Sequence, residues 1–151
     1  MSEYDVTRFA VAQERGCGLP NSDYRSALAQ ISGGRKTSHW IWYVFPQVEG
    51  LGRSDFCHRY GVRGSEEARA YLDDGVLRSH LIEISTELLE LETNDPVEVL
   101  GRIDARKVRS CMTLFALADE REPVFSEVLR KYYRGVPDKR TLELLGVEWS
   151  E

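Results

Sequence analysis

Residues 39–45 carry a dense run of rings, and this run constrains the fold more than any other part of the chain. Five aromatic or imidazole rings fall within these seven positions, and two of the three tryptophans of the chain are among them. Each such ring hides a large apolar area when it is buried. Polar residues flank the run, and Gly50-Leu51-Gly52 follows it. The pattern predicts a core segment whose polar edges form one wall of a pocket.

Length and charge restrict the class of protein. With 151 residues, the chain has the size of one domain, residues 1–151, with a core of its own. A net charge of −5 argues against a nucleic-acid partner, because that role usually needs a basic face. Basic clusters occur near residues 102–109 and 130–140, but acidic residues interleave with them. No apolar run approaches the ~20 residues that span a bilayer, so we expect no membrane partner.

The cysteines indicate a reducing compartment. There are three of them, Cys17, Cys57 and Cys111, an odd number without a C-x-x-C pair. This pattern gives neither a disulfide framework nor a zinc site. The acidic, polar start of the sequence does not resemble a secretory signal. We therefore expect a cytoplasmic protein without a metal, and the sequence has no phosphate-loop or dinucleotide motif that would indicate a cofactor.

Hydrophobic periodicity predicts an all-α protein, a single compact domain of roughly eight short helices around one core. Helix starts are expected at capping residues followed by apolar stripes. The predicted caps and first residues are Ser2 or Asp5, Asn21, Ser54, Asp95 with Pro96, Asp104 and Pro123. The inner face of the helix after Asp104 is expected to contain Val108, Cys111, Met112 and Phe115.

Residues 38–45 are compatible with either helix or strand. Their β-branched and aromatic content favours a strand. A cap at Thr37 or Ser38 and a stop at Pro46 favour a short helix. Because no partner strand is evident nearby, we predict a helix.

The first group of candidate site residues surrounds the ring-rich run. Lys36 follows two glycines, where its ammonium and the backbone can approach an anion. His39 is a candidate acid or base, and Gln47 offers both a donor and an acceptor to a cavity. A flat ligand ring could stack on one of the aromatic side chains. The candidate ligand-binding residues here are Lys36, Ser38, Trp40, Trp42 and Gln47, and the candidate catalytic residue is His39.

A second candidate group lies on the helix after residue 103. Asp104 and Lys107 are three residues apart, so they can pair on one helix face. Ser110 continues that face with a hydroxyl group. We take Asp104 as a second candidate catalytic residue and Lys107 and Ser110 as ligand-binding residues. Gln13, on the first helix, completes the predicted set. The alternative is that these are an ordinary cap and surface residues.

One long motif has a familiar form. The stretch from Gly34 to Ser54 reads G-x-K-x-S-H-W-x-W-x-x-F-P-Q-x-x-G-L-G-x-S. Together with Phe9-x-x-Ala12-Gln13 and Asp104-x-x-Lys107-x-x-Ser110, it resembles an uncharacterised bacterial and fungal family, a domain of unknown function often labelled "calpastatin". The resemblance covers nearly the whole chain and implies a compact, mainly α-helical protein. It supplies no activity, and the label conflicts with the composition, because the calpain inhibitor is disordered and this chain should fold.

The chain departs from that family at two places. Asp74-Gly75 stand where the family tends to have His-Pro, so a role for that histidine is absent here. Cys111 replaces the second serine of the family's usual Ser-Ser-Met-Thr, and a small neutral residue there fits packing better than catalysis.

Two classes of function follow from these residues. The first is a pocket for a small anionic ligand, nucleotide-like or ADP-ribose-like, in which any chemistry would be cofactor-independent and of the hydrolase or glycosidase type. The second is a non-catalytic protein-binding module whose aromatic segment is structural core. The first requires the candidate side chains to converge on a shared cavity. The sequence leaves the substrate and the oligomeric state open.

Overall fold

A computed structural model describes residues 4–150, and this part of the chain folds into ten helices joined by short loops. The sequence predicts roughly eight, and the short helices after residue 40, after Ser54 and at Pro96 are among those it predicts. The helices are α1 Thr7–Arg15, α2 Tyr24–Ser32, α3 Ile41–Val44, α4 Asp55–Arg59, α5 Gly64–Asp73, α6 Gly75–Glu90, α7 Pro96–Leu100, α8 Arg102–Ala118, α9 Val124–Tyr133 and α10 Lys139–Leu145.

The longest helix, α8, lies at the centre of the packing. It contacts α5, α7, α9 and α10, and α6 packs against α2, α5 and α9. The predicted inner face of α8 is confirmed, since Val108, Cys111, Met112 and Phe115 are all fully buried. None of the helices within residues 4–150 is long and apolar enough to cross a membrane.

The ring-rich run forms a helix, as predicted, but only over one turn. This turn, α3, ends just before Pro46, which cannot continue the hydrogen-bonding pattern. Trp40, Tyr43 and Phe45 are buried to within 1% exposure, which confirms a core segment. Within the described residues, extended pairing is limited to one isolated bridge between Val48 and Val62.

Several predicted caps are confirmed. The Ser54 hydroxyl accepts from the Cys57 N–H, and the Asp95 carboxylate accepts from the Val97 N–H with Pro96 at the first helical position. At α1, Asp5 lies one residue before the cap position, which is Val6, and its Oδ1 accepts from the Thr7 N–H, while Ser2 lies outside the described residues.

Two predicted helix starts are wrong. Asn21 does not cap α2, because its φ of 53° places it in the preceding turn and Asp23 takes the cap position. Asp104 does not cap α8 either. That helix begins three residues earlier than predicted, after Gly101, whose φ of 83° suits a residue without a side chain. Asp104 thus lies in the first turn of α8, and its carboxylate is free to contact another element.

Candidate functional site

Lys36 and Asp104 lie together, on separate elements. The Lys36 ammonium is 2.7 Å from Asp104 Oδ2, and only 7% and 17% of the two side chains are exposed. The same ammonium donates to the Ser38 carbonyl at 2.6 Å and lies 5.0 Å from the centre of the Trp40 ring. Lys36, which the sequence suggests as an anion-binding residue, is thus already paired with the carboxylate of Asp104.

The polar groups of the loop before Trp40 are held by one side chain, Gln30. Its Oε1 accepts from the N–H groups of Thr37 and Ser38 and from the Trp40 indole. Its amide nitrogen donates to the Ser38 hydroxyl, which in turn donates to the Asn21 carbonyl. The polar groups of Ser38 and the Trp40 indole N–H are therefore used in hydrogen bonds that hold the loop. No motif singles out Gln30, an ordinary residue late in α2.

Lys107 contacts the ring run at a second point. Its ammonium lies 5.5 Å from the centre of the Trp42 ring, close enough for a cation–π contact. Trp42 stacks on Phe56 at 4.3 Å. Lys107, Trp42, Gln47 and Cys57 border a hollow of about 10 Å³, the size of one water molecule. Lys107 makes no ion pair with Asp104, so the predicted pairing along the helix is wrong, because Asp104 pairs with Lys36 instead.

Two further candidates lie apart from these contacts. The His39 side chain is exposed, and its imidazole forms no hydrogen bond with any residue that the structure describes. Ser110 is buried, and its hydroxyl donates to the Arg106 carbonyl one turn earlier in the same helix. The geometry gives neither side chain a hydrogen-bond partner outside its own segment.

Gln13 forms a different and well-ordered arrangement. It is 3% exposed, and its amide nitrogen donates to the Tyr43 carbonyl at 2.8 Å and to the Tyr71 hydroxyl at 3.0 Å. Its oxygen lies 2.7 Å from Nδ1 of His80, on α6. A carbonyl only accepts, so the Tyr43 contact fixes which end of the Gln13 amide is nitrogen. The Gln13 oxygen must then accept from His80.

His80 is the functional candidate that sequence reasoning missed. Its Nδ1 carries the proton given to Gln13, which leaves the neutral ring with a lone pair on Nε2. Burial lowers the pKa of His80 below its usual value, although the carboxylates of Glu83 and Asp74 raise it. The available signal was its position between Leu77 and Ile84, at the edge of the apolar stripe of α6, where a histidine borders core and surface.

Tyr24 holds the His80 ring in place. The two rings are parallel within 8° and their centres are 3.8 Å apart. The Tyr24 hydroxyl lies 2.6 Å from Glu83 Oε1 and 2.9 Å from the His80 carbonyl oxygen, and these two acceptors share its single proton. Burial and the neighbouring Glu83 carboxylate raise the pKa of Tyr24, so the hydroxyl keeps its proton.

These side chains line an open cavity of about 690 Å³ between α1, α2 and α6, which we call the α1–α2–α6 cleft. Its volume lies in the range of small-molecule sites. The polar residues that line it are Gln13, Glu14, Asp23, Tyr24, Arg25, Asp74, His80 and Glu83. Within residues 4–150, no group of three or more His, Cys, Asp or Glu side chains is placed to hold a metal ion.

The predicted site residues thus divide between three places. Lys36 and Asp104 form an ion pair beside Trp40, whereas Lys107, Trp42 and Gln47 border the small hollow. Gln13 belongs to the α1–α2–α6 cleft, and no residue lines both this cleft and the hollow.

The fold and these sites define a small all-α domain with an imidazole held in an open cleft. The chain belongs to the family described as a protein of unknown function (DUF1810), which matches residues 3–145. It is similar to the crystal structure of the conserved hypothetical protein Rv1873 from Mycobacterium tuberculosis, with 40% sequence identity and a TM-score of 0.87. That similarity covers 96% of this chain and 99% of the other. No curated protein sequence matches the chain.

Proposed function

We propose that this protein binds a small polar molecule in the α1–α2–α6 cleft. The observation that carries the proposal is the 2.7 Å contact between His80 Nδ1 and Gln13 Oε1, within a cavity of ligand size. A buried amide that orients an imidazole at a cleft wall is typical of binding and catalytic sites, where one group fixes the geometry of another.

The lining of the cleft favours a neutral or positively charged ligand. Glu14, Asp23, Asp74 and Glu83 bring four carboxylates to it, against the guanidinium of Arg25. An anionic ligand would meet a negative potential there. The ligand class proposed for this cleft therefore differs from the anionic one that the lysines of the sequence suggest.

An anionic, nucleotide-like ligand remains a second candidate, at the hollow beside Lys107. The observation in its favour is that the Lys107 ammonium lies over Trp42 and has no carboxylate within ion-pair distance among residues 4–150. A cation beside a ring face suits phosphate and base together. Because the hollow has room for about one water molecule, the surrounding side chains would have to separate.

The proposed compartment is the cytoplasm. Cys17 and Cys57 are free thiols that are partly exposed, and a reducing compartment preserves such thiols.

The test is thermal stability against two sets of ligands. One set holds nucleosides, amino sugars and polyamines, and the other holds nucleotides, NAD, ADP-ribose and sugar phosphates. A ligand at about 100 times its dissociation constant adds roughly 2.7 kcal/mol, a readable shift. Binding in the cleft is expected to be lost in His80→Asn and kept in His39→Asn, a matched change at an exposed histidine.

The same experiment separates the candidates. A shift from the anionic set that Lys107→Ala abolishes and His80→Asn does not would favour the hollow. No shift from either set would overturn the ligand proposal and favour the protein-binding module, in which Gln13 and His80 are structural.

A further inference from the structure

We propose that His80 is the proton acceptor of the α1–α2–α6 cleft, with Nε2 as the reacting atom. This inference rests on the proposed function, since it requires the cleft to hold a ligand. It goes beyond that function by naming the atom that acts, the residue that positions it and the class of reaction.

The surroundings of His80 impose one protonation state on its ring. If the Gln13 amide were turned over, its oxygen would lie 2.8 Å from the Tyr43 carbonyl oxygen. Both atoms are acceptors, so this orientation is unfavourable. The observed orientation presents Oε1 to His80 Nδ1, which must donate. A free imidazole in water prefers its proton on Nε2. The protein thus selects the less common neutral form and leaves Nε2 unprotonated.

The His80 ring is also held in one position. Stacking on Tyr24 and the hydrogen bond to Gln13 fix the imidazole in two directions. Tyr24 is itself held by Glu83. Nε2 lies on the other side of the ring from Nδ1, and it has no hydrogen-bond partner among the described residues. A basic nitrogen without a protein partner, on a cleft wall, is available to a ligand or a water molecule.

An unprotonated imidazole nitrogen of this kind can take a proton from water and so support hydrolysis. Nε2 takes a proton from a water molecule, and the water oxygen forms a bond to an electrophilic carbon of the ligand. The bond from that carbon to the leaving group breaks, and the leaving group takes the electron pair and then the proton from the imidazolium. Water is the only co-reactant, so the reaction class is hydrolysis of a neutral or cationic ester, amide or glycoside.

Gln13 is a positioning residue in this scheme, because it acts through His80. The lowered pKa of His80 agrees with the scheme, since it favours the neutral ring, whose Nε2 carries no proton.

The test needs no ligand and therefore stands apart from the test of the proposed function. Nitrogen-15 NMR of labelled histidines reports which ring nitrogen carries the proton. His39→Asn and His58→Asn assign the signals. We expect His80 protonated at Nδ1 in the wild type, and a return towards the Nε2-protonated form in Gln13→Leu. Protonation of His80 at Nε2 in the wild type would overturn the inference, even if the cleft binds a ligand.

A chemical probe tests access to the same atom in the wild-type protein, so it does not depend on how well Gln13→Leu folds. Diethyl pyrocarbonate reacts with an unprotonated imidazole nitrogen, which forms a bond to the carbonyl carbon and expels ethyl carbonate. We expect mass spectrometry to find modified His80 in the folded protein, together with the exposed His39 and His58. Modification of His39 and His58 without His80 would show that Nε2 is closed to reagents and would overturn the proposal.

Discussion

Lys36 and Asp104 are joined by a 2.7 Å ion pair that connects the loop after α2 to the first turn of α8. The same loop is tied to α7 through the Lys36 N–H, which donates to the Val99 carbonyl at 2.7 Å. Because the lysine side chain is 7% exposed, Asp104 takes the place of water as the partner of its ammonium. The pair fixes where the ring-rich segment begins and so positions Trp40 in the core.

Removal of one charge from this pair is expected to destabilise the fold. Asp104→Asn leaves the Lys36 ammonium buried with the Ser38 carbonyl as its remaining acceptor. We expect a loss of about 3 kcal/mol in the free energy of unfolding, the low end for a broken buried pair, since Asp104 is 17% exposed. Urea unfolding of the variant and the wild type measures the difference.

The double variant Lys36→Met/Asp104→Leu provides the control. Both charges are then absent, so we expect part of the lost stability to return, in a non-additive way. If the two substitutions instead lower the free energy of unfolding additively, the two side chains act independently. This result would contradict the pairing.

The ion pair and the ring-rich run beside it also illustrate which features can be predicted from the sequence and which cannot. Burial of the ring-rich run follows from composition alone, because such rings hide a large apolar area in any fold. The role of Asp104 depends on where α8 begins, and that is decided by Gly101 rather than by the first acidic residue. A capping prediction fails when a nearby glycine permits an earlier start.

The α1–α2–α6 cleft lies beyond local sequence reasoning for a different reason. Gln13 and His80 are 67 residues apart and meet only because α1 and α6 pack together. Gln13 is recognisable as a polar residue on an apolar stripe, and such a residue needs a buried partner. The identity of the partner is a property of the tertiary packing, so reasoning from the sequence selects His39, in the ring-rich run, and misses His80.

Gly61 is expected to be intolerant of any side chain. A Cβ at this position would lie 2.8 Å from the Cys57 carbonyl oxygen and 2.9 Å from Glu49 Cβ. The backbone oxygen cannot move aside easily, so Gly61→Ala should lower the free energy of unfolding by about 1–3 kcal/mol.

Gly75→Ala is the matched control, because no atom lies within 4 Å of a Cβ built at Gly75, which begins α6. We expect that change to be neutral or to stabilise by up to about 1 kcal/mol. Thermal melts that rank the two variants in the reverse order would contradict the packing.

The thiols of Cys17 and Cys111 are expected to react at very different rates. Burial alone would raise the pKa of Cys17, but polar contacts with Tyr43, the Leu19 backbone and Ser22 outweigh it and hold the pKa below its usual value. Burial raises the pKa of Cys111 well above its usual value. Iodoacetamide followed by peptide mapping should label Cys17 in the folded protein and Cys111 only after unfolding. Cys17→Ser is the control for the assignment, and labelling of native Cys111 as fast as Cys17 would contradict the structure.

His80 is expected to make the stability of the protein depend on pH. Its pKa in the folded state lies below the ordinary value of 6.5, chiefly because of burial, so the unfolded chain binds more protons between the two values. The contribution of His80 to stability is therefore fully present above about pH 6.5 and is lost as the pH falls from there towards the folded pKa. Urea unfolding between pH 5 and 7.5 should show this loss in the wild type and in His39→Asn, and a flatter profile in His80→Gln. Equal slopes in the wild type and His80→Gln would mean that the ring titrates as it does in the unfolded chain, and the cleft would then lack the dehydrated imidazole on which its chemistry depends.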